Sequence, residues 1–447
     1  MTVTPAHVDE GLWRELVPQA LARLLRTYGR DQIDLCEDAV QDALVAAHQQ
    51  WTVQAPEDPL AWLVTAARRR YIDRVRSDYR RRDRETREAL LALPLNACSS
   101  ESSAIDDSLL LLHLCCHPAL PRSAQVALTL RAVAGLSTAQ IANVYQLPEA
   151  TVAQRITRAK RRIAELGGAL PRPGDVTERL PSVLDVLYVM FTEAHHTTTG
   201  EPAHDADLAA EAIRLARQLH KALPLDTEVS GLLALMLLTE ARRPARVGPD
   251  NRLIPLDEQD RRLWEPALIA EGRALVERAV VGATPGPYLL QACIAALHAE
   301  APDTASTDWS EILALYRLLE VITENRNPTI ALNRIVAEAM VHGEEYALAC
   351  IDELAEHHPR LSRLAGVRAH LLERLGRDDE AVAAYRQAIK ETRNIAEQAH
   401  LRARLRRLLR SPGAPSSHPV SDIEPSRRPT GVRRPWAGEA TIASPRS

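Results

Sequence analysis

Between Asp9 and Gly29, and again between Leu35 and Trp51, apolar residues return every third or fourth position, which is the period of one helix face and not the alternation of a strand. Gly29 and the Pro56/Pro59 pair break these two runs. A third helix is expected from Pro59, whose fixed backbone angle suits a first turn, through Trp62, Leu63 and Ile72 towards Arg87. The same period resumes from about Ser108 to Leu166 and, after Pro171, Pro173 and Gly174, from about Arg179 to Leu409. Aromatics make up 4% of the chain and Ala and Leu dominate its apolar set, so the expected fold class is all-α.

At 447 residues the chain exceeds what one core usually serves. The breaks suggest a helical block over 1–92, a flexible acidic linker over 93–107 with Glu101, Asp106 and Asp107, a second block over 108–170, a long extension over 171–410, and a disordered tail over 411–447 that holds seven Pro and no apolar period. The six Cys form neither a regular framework nor paired C-x-x-C spacing, which argues against a secreted disulfide scaffold or a structural zinc domain. No apolar window reaches membrane-spanning length and no signal pattern opens the chain, so a cytoplasmic protein without membrane contact is expected.

The net charge of -4 gives no global field for nucleic acid, so such a case rests on local clusters. Between Arg68 and Arg87 stand ten Arg against Asp73, Asp78, Asp83 and Glu85. Trp62, Tyr71 and Tyr79 lie among them, and aromatic faces beside Arg suit unstacked single-stranded bases. A solvated helix with ion pairs such as Asp73 with Arg69 would carry the same charges. The preceding helix favours the functional reading: Glu37, Asp38, Gln41 and Asp42 line one face of it, and an acidic face asks for a basic protein partner.

A second constellation begins at Ser137, which can cap a helix while Gln140 reaches back to its amide, a capping box. A short helix, a turn at Tyr145-Gln146-Leu147, and a second helix opened by Pro148 and Glu149 follow, with Thr151, Gln154, Arg155, Arg158, Lys160, Arg161 and Arg162 along it. A basic second helix is what a helix-turn-helix places in the major groove, its first residues on base edges and its flanking cations on phosphates.

The run E-D-A-V-Q-D-A-L-x-A-A from Glu37, followed by P-x-A-W-L-x-x-x-A-R-R-R-x-x-D-x-x-R from Pro59, resembles region 2 of extracytoplasmic-function sigma factors. The resemblance implies that Glu37, Asp38, Gln41 and Asp42 dock on core RNA polymerase. It implies too that Trp62, Arg68, Arg69, Arg70, Tyr71, Asp73 and Arg74 engage the -10 promoter element, with the loop from Trp51 to Pro59 taking a flipped base. Gln125-Val126-Ala127-Leu128, then G-L-S-T-A-Q-I-A and T-V-A-Q-R-I-x-R-A-K-R-R-I, resembles region 4, the reader of the -35 element. Ser137, Thr138, Glu149, Thr151, Gln154, Arg155, Arg158 and Lys160 would be its DNA contacts. Promoter DNA and core polymerase are the implied partners, with no cofactor, no metal and no enzymatic activity.

In the extension, Leu375-Gly376-Arg377, Glu380-Ala381, Tyr385 and Ala388 match the spacing of a tetratricopeptide helix pair, and a weaker pair spans Thr329 to Leu354 about a His342-Gly343 turn. Val186 to Ala194, Asp207 to Leu215 and Ala234 to Arg246 are similar to the group of these sigma factors with a tetratricopeptide-like C-terminal domain. That group implies an extension that regulates activity and has a protein or small-molecule partner. Two clusters have bland alternatives: His195-His196 as a metal site, and His113, Cys115, Cys116 and His117 as a metal or redox site, where packing in a Leu-rich helix explains the residues better. The loop from Arg242 to Leu256, with Arg246, Asp250, Asp257 and Asp260, suits either a small ligand or an ion-pair network.

An autonomous repressor with a helical sensor domain would account for the helix-turn-helix and the extension, but not for the acidic face or the second basic helix. An enzyme would need a phosphate loop, a nucleophile motif or enclosed paired carboxylates, and none is found.

Overall fold

The computed structural model describes residues 10–51, 56–82, 107–145, 147–166, 173–195, 202–248, 252–282, 284–359, 361, 363–392 and 394–410. The linker expected over 93–107, apart from Asp107, and the tail over 411–447 lie outside them. Among the described residues every regular element is helical, apart from one isolated antiparallel bridge between Val247 and Leu253.

Helices α1 (Glu10–Tyr28), α2 (Ile33–Gln50) and α3 (Pro59–Arg82) form a bundle. Its seam is made by Leu21, Leu24, Leu25, Ile33, Val40, Ala43, Ala47, Leu63 and Ala67, all buried. Small alanines on α2 let α1 and α3 approach closely, and aromatic stacks close the ends. Trp13 stacks on Trp51 at 4.8 Å and Trp51 meets Trp62 edge-on at 5.2 Å.

Helix α4 (Asp107–Cys115) spreads its Leu residues round its whole circumference, and such a helix must be enclosed on every side. Leu109, Leu111, Leu112, Leu114 and Cys115 are indeed buried all round it. Its neighbours are α1 on one side, α5 (Arg122–Ala132) on another, and α8 (Pro173–His195) and α9 (Pro202–Ala222) on the rest. Helices α6 (Thr138–Tyr145) and α7 (Glu149–Leu166) complete this block.

The extension continues with α10 (Thr227–Glu240), the short α11 (Arg243–Arg246), α12 (Pro266–Ala279) and α13 (Pro287–Glu300). It goes on with α14 (Trp309–Ile322), α15 (Pro328–His342), α16 (Glu344–His357), α17 (Leu364–Arg374), α18 (Asp378–Glu391) and α19 (Ile395–Arg410). The two helix pairs expected near the end are present as α15/α16 and α17/α18. Ala381, Tyr385 and Ala388 are buried between α17 and α18, and Gly376 takes the left-handed backbone that the turn between them requires.

The cores do not divide where the expected boundaries fall. One core runs without interruption from Leu16 to Ala296, joining α1–α3, the α4–α7 block and the first half of the extension. A second core, from Leu332 to Leu401, serves the last helices. The reason is α4: a Leu-rich helix buried on every side cannot end a domain, so it draws the neighbouring blocks around itself.

Candidate nucleic-acid and protein interface

On α2, residues 34, 37, 38, 41 and 42 fall three and four apart, so their side chains form one acidic ridge. Its members meet different partners. Asp38 and Asp42 accept ion pairs from Arg74 of α3 at 2.5 and 3.3 Å, and all three keep about half of their side chains in water. Gln41 is exposed. Glu37 turns the other way: its side chain is 11% exposed, with Oε1 accepting from Arg131 Nε of α5 at 3.1 Å and Oε2 from Lys160 Nζ of α7 at 2.5 Å. Lys160, itself 12% exposed, also donates to Asp34 at 3.0 Å.

This clasp holds one enclosed carboxylate between two cations. Burial opposes the charged form of Lys160, yet the adjacent Glu37 and Asp34 carboxylates overcome it and raise its pKa. Arg131 further donates to the Leu136 carbonyl at 3.2 Å, which ties the clasp to the turn ahead of α6.

On α3 the expected DNA-facing residues separate by burial. Arg69, Arg70 and Asp73 are exposed, while Arg68 and Arg74 are half-buried. Trp62 is half-buried against Trp51. Tyr71 is buried, its ring stacked on Tyr28 at 3.9 Å, and burial pushes its hydroxyl pKa up to about 12. Tyr71 therefore packs the bundle in this form and offers no face to a base, contrary to the role expected for it. The aromatic signal misled because an aromatic at helical spacing serves a core and a base platform equally well. Tyr79 and the arginines beyond Arg82 lie outside the described side chains, as do residues 52–55 of the expected base-capturing loop.

The α6/α7 pair forms as the capping box dictates. Ser137 N donates to Gln140 Oε1 at 2.8 Å and Gln140 N donates to Ser137 Oγ at 3.1 Å. Val152, Ile156, Ala159 and Ile163 form the buried stripe of α7. That leaves Glu149, Thr151, Gln154 and Arg158 exposed with Ser137, and Thr138 and Arg155 half-buried. Lys160 is the member of the expected set that faces inward, into the clasp.

Arg131 and Lys160 as partners of Glu37, and Asp34 as a second partner of Lys160, escaped the sequence reading, although Asp34 lies one turn ahead of Glu37 on the same ridge. A second junction escaped it too. Asp185 of α8 pairs with Arg122 at the start of α5 at 2.5 Å and accepts from the Tyr288 hydroxyl of α13 at 2.6 Å. Arg179 of α8 donates to the His113 carbonyl of α4 at 3.1 Å. The extension thus grips the helix-turn-helix block through an ionic link as well as through α4.

His113, Cys115 and Cys116 are buried, and burial pushes the Cys116 thiol up to about 12. No group of metal-ligating side chains occurs among the described residues, and these three are packing residues. The His195 and His196 side chains lie outside the described set. No helix among the described residues is long and apolar enough to cross a membrane.

Comparison with known families gives three matches. Residues 13–81 match Sigma-70 region 2, residues 112–163 match Sigma-70, region 4, and residues 179–280 match a family of unknown function. The chain is 40% identical over 407 residues to an uncharacterized protein of Rhizobium meliloti (strain 1021), an alignment covering 88% of this chain and 94% of that one. No solved structure matches.

Proposed function

The chain belongs to the sigma-70 family, whose regions 2 and 4 give it a sigma-factor role in promoter recognition, and we propose that it is an extracytoplasmic-function member regulated by its own helical extension. The observation that carries this reading is the pairing of two separate basic helices with one acidic ridge. Exposed Arg69 and Arg70 on α3 suit the -10 strand, exposed Gln154 and Arg158 on α7 suit base edges of the -35 duplex, and Asp38, Gln41 and Asp42 on α2 suit a basic surface of core polymerase.

The regulatory half rests on the clasp. Glu37 belongs to the polymerase-docking ridge and Lys160 to the -35 helix, yet each occupies the other, so region 2 and region 4 satisfy each other instead of their partners. Engaging two promoter elements that lie apart along the duplex requires these blocks to separate. The extension holds them together, because α8 and α9 cover α4 and Asp185 secures Arg122. The tetratricopeptide-like α15–α18 pairs then supply the surface on which a regulatory partner would act.

The test mixes purified full-length protein with core polymerase and genomic promoter fragments and measures initiated transcripts, alongside the variant Asp185→Asn. Transcripts dependent on the protein, increased by Asp185→Asn, support both halves. No transcript with any fragment, together with tight duplex binding by the protein alone, would replace the reading with an autonomous repressor. Removing everything after Leu170 is a poorer test, since it strips the cover from α4.

A further inference from the structure

Helix α10 ends at Glu240, and the chain then turns through Arg242 and α11 before returning at a 3₁₀ turn over Arg261–Leu263. The return is fixed by the Glu265 amide donating to the Ala241 carbonyl at 2.9 Å. Trp264, 4% exposed, becomes the floor of the turn. Two guanidinium groups lie over its ring, Arg261 at 4.9 Å and Arg242 at 5.8 Å from the centroid.

The two differ in what else they meet. Arg261 donates to the carbonyls of His298, at 2.6 Å, and of Ala301. Arg242 Nε is buried without a hydrogen bond, whereas the adjacent Arg243 holds the ion pair to Glu240. Two further buried nitrogens nearby share that condition, the Trp264 indole Nε1 and the His298 imidazole Nδ1. Burial together with the neighbouring charges of Arg246 and Arg261 pushes the Arg242 pKa down to about 10. Burial and the charges of Arg242 and Arg261 push His298 down to about 4.

A cation held among cations, with its Nε shut off from water, is costly unless an anion completes it. Arg242, Arg246 and Arg261 each keep part of their surface in solvent, so the cluster can be reached from outside. We propose that Arg242, Arg261 and the Trp264 floor form a binding site for a small oxyanion, a phosphate either free or carried as an ester by a soluble molecule. The guanidinium fork matches phosphate oxygens. The site lies within the segment matched by the family of unknown function and is independent of the promoter-reading surfaces. It gives that segment a ligand of defined chemistry.

The experiment measures thermal unfolding and calorimetric binding of the full chain with inorganic phosphate and with glycerol 3-phosphate, against chloride at matched ionic strength. Phosphate should stabilise the protein beyond chloride, and a larger effect of the ester would identify an esterified ligand. Arg242→Met should abolish the effect, and Arg242→Lys, which keeps the charge but not the fork, should weaken binding about tenfold or more. Arg158→Gln on α7 should leave it intact, which separates this site from the DNA-facing arginines. Absence of a phosphate-specific effect in the unaltered protein, its persistence in Arg242→Met, or undiminished binding by Arg242→Lys, overturns the proposal.

Discussion

Lys160 Nζ lies 2.5 Å from Glu37 Oε2, joining the helix expected to read duplex DNA to the helix expected to dock on polymerase. Both side chains are nearly closed off from solvent, so the pair is more than a surface contact of negligible worth. Arg131 and Asp34 complete it, giving two cations and two carboxylates in one junction. Such a junction stabilises only while every member stays paired.

Replacing Lys160 by Met should release Glu37 Oε2 from α7 without altering Glu37 itself. Arg131 would still hold Glu37, so the expected loss is about 1–3 kcal/mol, below that of a fully orphaned buried charge. If the acidic ridge docks on core polymerase as proposed, affinity for it should rise at the same time, because α7 no longer occupies the ridge. Chemical denaturation and a core-binding titration read the two effects, and a stability loss with unchanged or weaker core binding would refute the clasp as a restraint.

Charge reversal at Asp38 and Asp42 should weaken core binding while leaving the bundle folded. Both carboxylates are substantially exposed and pair with a half-exposed Arg74, so each pair is worth only about 0–1 kcal/mol of stability. Circular dichroism should be unchanged. Competition for core polymerase should show the loss.

Substituting Gln154 or Arg158 should change -35 preference by about 1–3 kcal/mol for each lost base contact. Their neighbours Val152 and Ile156 are buried and theirs are not, so the fold should survive. Binding to a panel of single-base promoter variants distinguishes a base contact, which relaxes one position, from a phosphate contact, which weakens all equally.

Acid should destabilise the protein between its histidines' ordinary and folded pKa values. His113 and His298 are buried, and burial with adjacent arginines pushes both from 6.5 to about 4. In that window the unfolded chain binds protons that the folded chain refuses, so stability falls as pH drops from 6.5 to 4, by on the order of 3 kcal/mol per histidine. His113→Gln should flatten the slope measured by denaturation at each pH, and an unchanged slope would contradict the assignment.

Gly231→Ala should loosen the extension. A Cβ there would meet the Leu289 amide nitrogen at 2.5 Å and its Cα at 2.6 Å, so α10 and α13 would have to part. A loss of about 1–3 kcal/mol or more is expected by thermal unfolding. Because α10 and α13 belong to the core shared with α4, the helix-turn-helix block should lose protection in hydrogen exchange as well.

The helices, the capping box at Ser137 and the turn at Gly376 were all determined by the sequence itself, because each depends on residues within one or two turns of each other. The acidic ridge was equally visible, since its members share one helix face. What tertiary structure decided is where those faces point. Tyr71 carries the same aromatic signal whether it faces a base or Tyr28, and only the closing of α1 on α3 chose the latter. Glu37 and Lys160 stand 123 residues apart, and Arg242 reaches Trp264 and His298 only when α10, the 3₁₀ turn and α13 meet. Periodicity records the neighbours along a helix, while a charge's partner across the fold is set by how apolar faces close, and here the Leu-rich, buried α4 governed that closure.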